Sequence, residues 1–120
     1  MKNVIYTGAE SYPAFAVSGV VAVKVIGHVL VAVTNNAATT SVGTATSAAG
    51  LIAATAGSAM LTVDQIWTDN APSDFETFPT SWVVISESIV VDGDAALVAG
   101  AVRLHCYWFP VSPNATLAAA

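Results

Sequence analysis

The chain has 120 residues, 55% hydrophobic and 9% charged, with three Lys plus Arg against eight Asp plus Glu and a formal net charge of −5. That is one domain's worth of chain, with enough apolar content to hold a core without disulfides. The lone cysteine, Cys106, excludes an intrachain disulfide and the cysteine-rich zinc sites. The cations Lys2, Lys24 and Arg103 are too few to neutralise a run of phosphates, so nucleic acid is excluded as a partner. Soluble monomers carry about a quarter charged residues, and the much lower content here points to a surface hidden in an assembly.

Residues 1–14 read as an N-terminal arm, 15–111 as a single β domain and 112–120 as a C-terminal tail. Ala14 to Val33 is long enough to span a bilayer, but Lys24 and His28 near its centre argue against insertion. Its pattern is that of a strand. Phe15, Val17, Val21, Val23, Val25, Val29, Val31 and Val33 share one parity, and Ser18, Lys24, His28 and Thr34 the other, the period-two signature of a half-buried strand. Glu10, Pro13 and the polar run Thr7 to Tyr12 break up the apolar core a signal peptide needs, so no export signal is expected.

Valine and threonine suit a pleated surface, which makes the class all-β: an antiparallel β-sandwich or a small jelly-roll-like domain. Residues 15–34 form one long strand or two strands broken at Gly27, and Asn35 to Thr40 forms a turn. A strand over Thr40 to Ala45 follows. Ala48 to Met60 favours short strands over a helix, because Gly50, Thr55 and Gly57 interrupt its alanines. Leu61 to Thr68 is a strand carrying Trp67, Asp69 to Asp74 a loop, and Phe75 to Trp82 an irregular stretch whose aromatics pack down.

Trp82 to Val91 and Ala95 to Phe109 flank Asp92-Gly93, a C-terminal β-hairpin signal, because a type I′ turn needs positive φ at both central residues. With those two in the loop, the ladder sets Trp82 against Arg103 as a cation–π pair. Pro110 and Pro113 end the last strand. Val21, Val23, Val25, Trp67, Trp82, Trp108 and Phe109 are the expected core or subunit-interface residues.

No constellation speaks for an enzyme, a metal or a cofactor. His105 and Cys106 adjoin, but neighbours on a strand point to opposite faces. His28 and His105 lack a clear third metal ligand. Asp64, Asp69, Asp74 and Glu76 match no calcium-loop spacing and read as solvated loop acids. Gly43, Gly50 and Gly57 lack a phosphate-binding pattern, and Asn114-Ala115-Thr116 is a sequon without a secretory context. Trp82, Tyr107, Trp108 and Phe109 read as packing residues ahead of a glycan-binding surface.

Two stretches carry a resemblance. They are Ser41-Val42-Gly43-Thr44-Ala45 through Leu51-Ile52-Ala53-Ala54-Thr55 to Asp64-Gln65-Ile66-Trp67-Thr68-Asp69-Asn70-Ala71-Pro72, and the ending Gly100 to Ser112 with Trp108, Pro110 and Ser112. Together they resemble small virion structural proteins of tailed bacteriophages, over about residues 15 to 113. The resemblance implies a non-enzymatic, β-rich virion subunit, a homotrimer made in the host cytoplasm and bound to other virion proteins. A tail-tip or baseplate place is the first expectation. A capsid decoration (cement) protein, which would use an extended N-terminal arm, is the alternative, and a tail module binding a host-surface receptor or glycan the rival.

Overall fold

The computed structural model describes residues 1–33 and 36–120. Thr34, at the end of the expected first strand, and Asn35, opening the expected turn, lie outside the described residues. The fold is all-β: two antiparallel sheets packed face to face. The strands are β1 (Lys2–Ile5), β2 (Ser11–Ser18), β3 (Val21–Val31), β4 (Thr39–Gly43), β5 (Ile52–Ala56), β6 (Ile66–Trp67), β7 (Val83–Ile85), β8 (Ile89–Asp92), β9 (Ala101–Pro110) and β10 (Thr116–Ala119). The first sheet runs β1-β9-β3-β6, with β7 also on β3; the second runs β10-β2-β8-β4-β5. No helix among the described residues is long and apolar enough to cross a membrane, and the Ala14 to Val33 stretch lies mostly in β2 and β3.

The valine parity of β3 builds one wall of the core. Val21, Val23, Val25 and Val29 are at most 4% exposed, and they face Phe15, Val42, Ile52, Ile89 and Val91 of the second sheet in one apolar cluster. The chain breaks at Gly19, not at Gly27. Gly19 takes φ +76°, and a side chain there would strike Ser112 and Ala115, so the crossing from the second sheet to the first needs glycine. Gly27 stays inside β3 opposite Trp67. A Cβ on it would lie 3.0 Å from the Trp67 ring, and its bareness lets the indole lie flat on the strand. Trp67 is fully buried. Its indole N–H donates to Thr55 Oγ1 at 2.9 Å, and that hydroxyl donates to the Ala53 carbonyl at 2.8 Å.

The N-terminal segment is no free arm. β1 pairs β9 and β2 pairs β8 and β10, while Tyr6 is buried with its hydroxyl 2.9 Å from Thr40 Oγ1. The expected tail likewise forms β10 on β2, after a Ser112–Ala115 turn closed by the Ala115 N–H to the Ser112 carbonyl. Asn114 takes φ 63° there, after Pro113, the arrangement of a type II turn. The chain thus closes on two consecutive strands, β9 and β10, one in each sheet.

The pairing expected across Asp92-Gly93 does not form. Neither residue takes positive φ, so the type I′ turn is absent. The Gly93 N–H donates to the Glu10 carbonyl, Asp94 Oδ1 caps the Ala96 N–H at 2.8 Å, and Leu97 turns in to become fully buried. Burying Leu97 between the sheets outweighs the local turn preference, and Gly100, at φ +105°, admits the chain to the first sheet. The expected strand Trp82 to Val91 is also two strands, β7 in the first sheet and β8 in the second. Leu61 to Thr68 narrows to β6, because Asp64 and Gln65 turn to hydrogen-bond with Val29. Ala48 to Met60 yields the strand β5 and one short 3-10 turn at Gly57–Ala59.

Candidate interaction face

The outward side of the first sheet carries the side chains of opposite parity to the core. In β3 these include Lys24, Ile26 and His28; in β9 they are Arg103, His105, Tyr107 and Phe109, paired as Lys24 with Tyr107, Ile26 with His105 and His28 with Arg103. β7 adds Val84 opposite Ala22, and the strand-free stretch before it lays Phe78 and Trp82 over the same side.

Lys24 sits amid the aromatics. Its Nζ lies 4.6 Å from the Trp82 ring centroid and 5.7 Å from that of Phe78. Trp82 meets Phe109 edge-on at 4.9 Å, and Phe78 meets Tyr107 edge-on at 5.2 Å. Each edge-on pair is worth about 0.5–1.5 kcal/mol beyond area burial, and an ammonium over an exposed ring about 0.5–1 kcal/mol. Order therefore comes from the ring network, although Phe78, Trp82, Tyr107 and Phe109 remain 44–47% exposed. At roughly 200 Å² per ring, the four present about 350 Å² of aromatic surface, within the range of a functional patch.

The expected interface residues therefore divide. Val21, Val23, Val25 and Trp67 are core. Trp82 and Phe109 stand on the outer face, whereas Trp108, opposite Val23, points to the core side at the end of the sandwich and is 37% exposed. The expected packing of the 75–82 aromatics holds only in part, since Phe75 is 91% exposed. The Trp82–Arg103 pair is corrected: Trp82 receives Lys24, and Arg103 lies opposite Asn3 and His28, its Nε donating to Asn3 Oδ1 at 2.9 Å. Once β8 leaves for the second sheet, the ladder that aligned Trp82 with Arg103 does not exist.

Below the aromatics the face is cationic. Arg103 and His28 flank His105, whose pKa is lowered by partial burial first, then by the positive N-terminus, Arg103 and His28. His28 Nε2 lies 2.8 Å from Asp64 Oδ1, a well-exposed pair of small energetic weight. Cys106, on the core side opposite Val25, is pushed up to about 11 by burial and is a poor nucleophile. Among the described residues no three His, Cys, Asp or Glu side chains converge on a metal position. The loop acids turn to separate tasks: Asp69 caps the Ala71 N–H, Glu76 accepts from Ser73 and Thr68, and Asp64 meets His28.

A cleft of about 310 Å³ opens between the 43–51 segment and residues 83–87. Glu87 at its rim accepts from Thr46 Oγ1 at 3.0 Å, and the threonine hydrogen bonds hold its pKa below the usual carboxylate value. Lys24 and Phe78 were not among the expected interface residues, whereas Tyr107 stood with Trp82, Trp108 and Phe109 among the aromatics weighed for packing or a binding surface. The signal for Lys24 is its off-parity place in a valine strand. Comparison with protein-family models, curated proteins and solved structures returns no match for this chain.

Proposed function

We propose that this chain is a non-enzymatic structural subunit of a bacteriophage virion, working in many copies through the outer face of its first sheet. The observation that carries the reading is the exposed, mutually braced cluster of Phe78, Trp82, Tyr107 and Phe109 on a low-charge sandwich. Aromatic rings held in place before contact lose little entropy on docking, and aromatics are enriched at the buried cores of protein interfaces. The mechanism is association through apolar area, at about 2.5 kcal/mol per 100 Å² before the entropic costs of binding.

A trimer at the tail tip or baseplate, made in the host cytoplasm and contacting other virion proteins, is the specific form of the proposal. A decoration protein bracing the head would reach its neighbours with an N-terminal arm, and the folding of β1 and β2 into the sheets favours the tail place over that one. The test has two parts. Native mass by light scattering across a range of concentrations should give a concentration-independent trimer, and antibody-labelled particles under the electron microscope should carry the chain at the tail tip. Purified particles that lack the chain would overturn the proposal.

A further inference from the structure

The charges of this molecule are sorted by place. Of the three basic side chains, Lys24 and Arg103 lie on the outer face of the first sheet, as do both histidines, His28 and His105. Of the loop carboxylates near that face, Asp64 is engaged locally with His28 and Glu76 with Ser73 and Thr68. Glu10, Asp92 and Asp94 gather elsewhere. The Gly93 N–H donates to the Glu10 carbonyl and Ser11 pairs with Asp92, so the loops before β2 and after β8 form one acidic end. All three acids are exposed, and Val98 beside them is 60% exposed.

The acidic end lies where β9 begins. Tyr6 N–H donates to the Gly100 carbonyl and Gly8 N–H to that of Leu97, which fixes both loops at the Ala101 end of the strand. Phe109 is eight residues along β9, about 27 Å away at the rise of an extended strand. One molecule therefore presents Lys24 and the aromatic rings toward one end of the outer face and an acidic, partly apolar surface at the other, with Arg103 two residues into β9 near that acidic end.

We infer that the outer face docks head to tail on the acidic end of a second copy of this chain, an inference that rests on the assembly reading above. Face-to-face contact about a twofold axis would set the cationic face of one copy, with Lys24 and Arg103, against the same cationic face of the other. Burying like charges without a carboxylate is costly. Head-to-tail contact pairs Lys24 with Glu10 and Asp92 and covers the aromatic rings with the Val98 end. Such a contact uses different patches on the two copies, so it closes into a ring or extends as a stack according to the rotation between neighbours.

The test is a charge exchange read by light scattering and analytical ultracentrifugation. Lys24→Glu disables the face, and Glu10→Lys with Asp92→Lys disables the acidic end, where neither side chain caps a backbone group among the described residues. Each variant alone should associate about 100-fold more weakly than the wild type, and a variant carrying all three substitutions should recover association, because every exchanged face then meets an exchanged end whatever the number of copies. Recovery also shows that the three substitutions leave the chain folded. The inference is overturned if the triple variant stays dissociated or if the wild type is monomeric throughout. It is equally overturned if Trp82→Ala abolishes association while Glu10→Lys with Asp92→Lys leaves it unchanged. Particle labelling decides the virion reading separately, so failure of one does not stand for failure of the other.

Discussion

Replacing Thr55 with valine keeps the side chain's shape and removes one oxygen. That oxygen is 1% exposed with its residue, accepts the Trp67 indole N–H at 2.9 Å and donates to the Ala53 carbonyl at 2.8 Å, with the Asp69 carbonyl 3.3 Å away. In Thr55→Val the indole N–H is buried without an acceptor, at a cost of about 1–3 kcal/mol. With a central value of about 2 kcal/mol and a urea slope of about 1.3 kcal/mol per molar for a small domain, the unfolding midpoint should fall by about 1.5 M. Thermal melts should drop by roughly 8 °C. The assay is urea unfolding followed by far-ultraviolet circular dichroism, at one protein concentration because association shifts apparent stability. Thr55→Ser, which keeps the hydroxyl and loses a methyl, should cost about 1 kcal/mol, and a cycle with Trp67→Phe should show coupling of about 1 kcal/mol. A Thr55→Val midpoint equal to the wild type, or no coupling to Trp67, would refute the idea that this hydrogen bond seats the indole.

Two further outcomes are expected. Gly27→Ala places a Cβ 3.0–3.1 Å from two Trp67 carbons; overpacking costs about 1–3 kcal/mol and the stiffer unfolded chain returns about 0.4–1 kcal/mol, so the same urea assay should show a net loss of about 1 kcal/mol. His105 has its folded-state pKa below the ordinary 6.5, so the unfolded chain takes up the proton first as pH falls. Its contribution is therefore full above about 6.5 and is lost as pH drops toward the lowered value. His105→Gln should flatten the decline in stability across that window, and an unchanged pH profile would count against the placement of His105 beside Arg103 and His28.

The β3 valines and Trp67 were legible because burial writes itself into sequence as period-two alternation, and β3 keeps that alternation through Lys24, Ile26 and His28 on its outer side. The all-β sandwich followed from the same signal. Connectivity was not legible. Asp92-Gly93 is a strong local hairpin signal, yet the decisive contact is Leu97 buried between the sheets, which no neighbouring residue announces. The 1–14 and 112–120 segments looked like arms because Pro13 and the Thr7 to Tyr12 run interrupt the first, and Pro110 and Pro113 precede or open the second. Their places in the sheets depend on backbone pairing with β9 and β2, which is blind to side-chain type. The interaction face was half legible: Trp82 and Phe109 stood out as aromatics, but the partner of Trp82 required the knowledge that β7 lies against β3.

The pairing of β1 with β9 also dictates when this protein can fold. Lys2 and its partner Leu104 are about a hundred residues apart, and β2 likewise waits for β10. At roughly 5–20 residues per second of synthesis, the first strand leaves the ribosome about 5–20 s before the strand that completes its ladder. Closing so long a loop is slow relative to local pairing, so the nascent chain carries the apolar β3 valines with its sheets unfinished until β9 and β10 emerge. Its most vulnerable interval is translation itself, when many copies made together are exposed to premature strand exchange, and its yield should depend on temperature and chaperone supply more steeply than the finished sandwich would suggest.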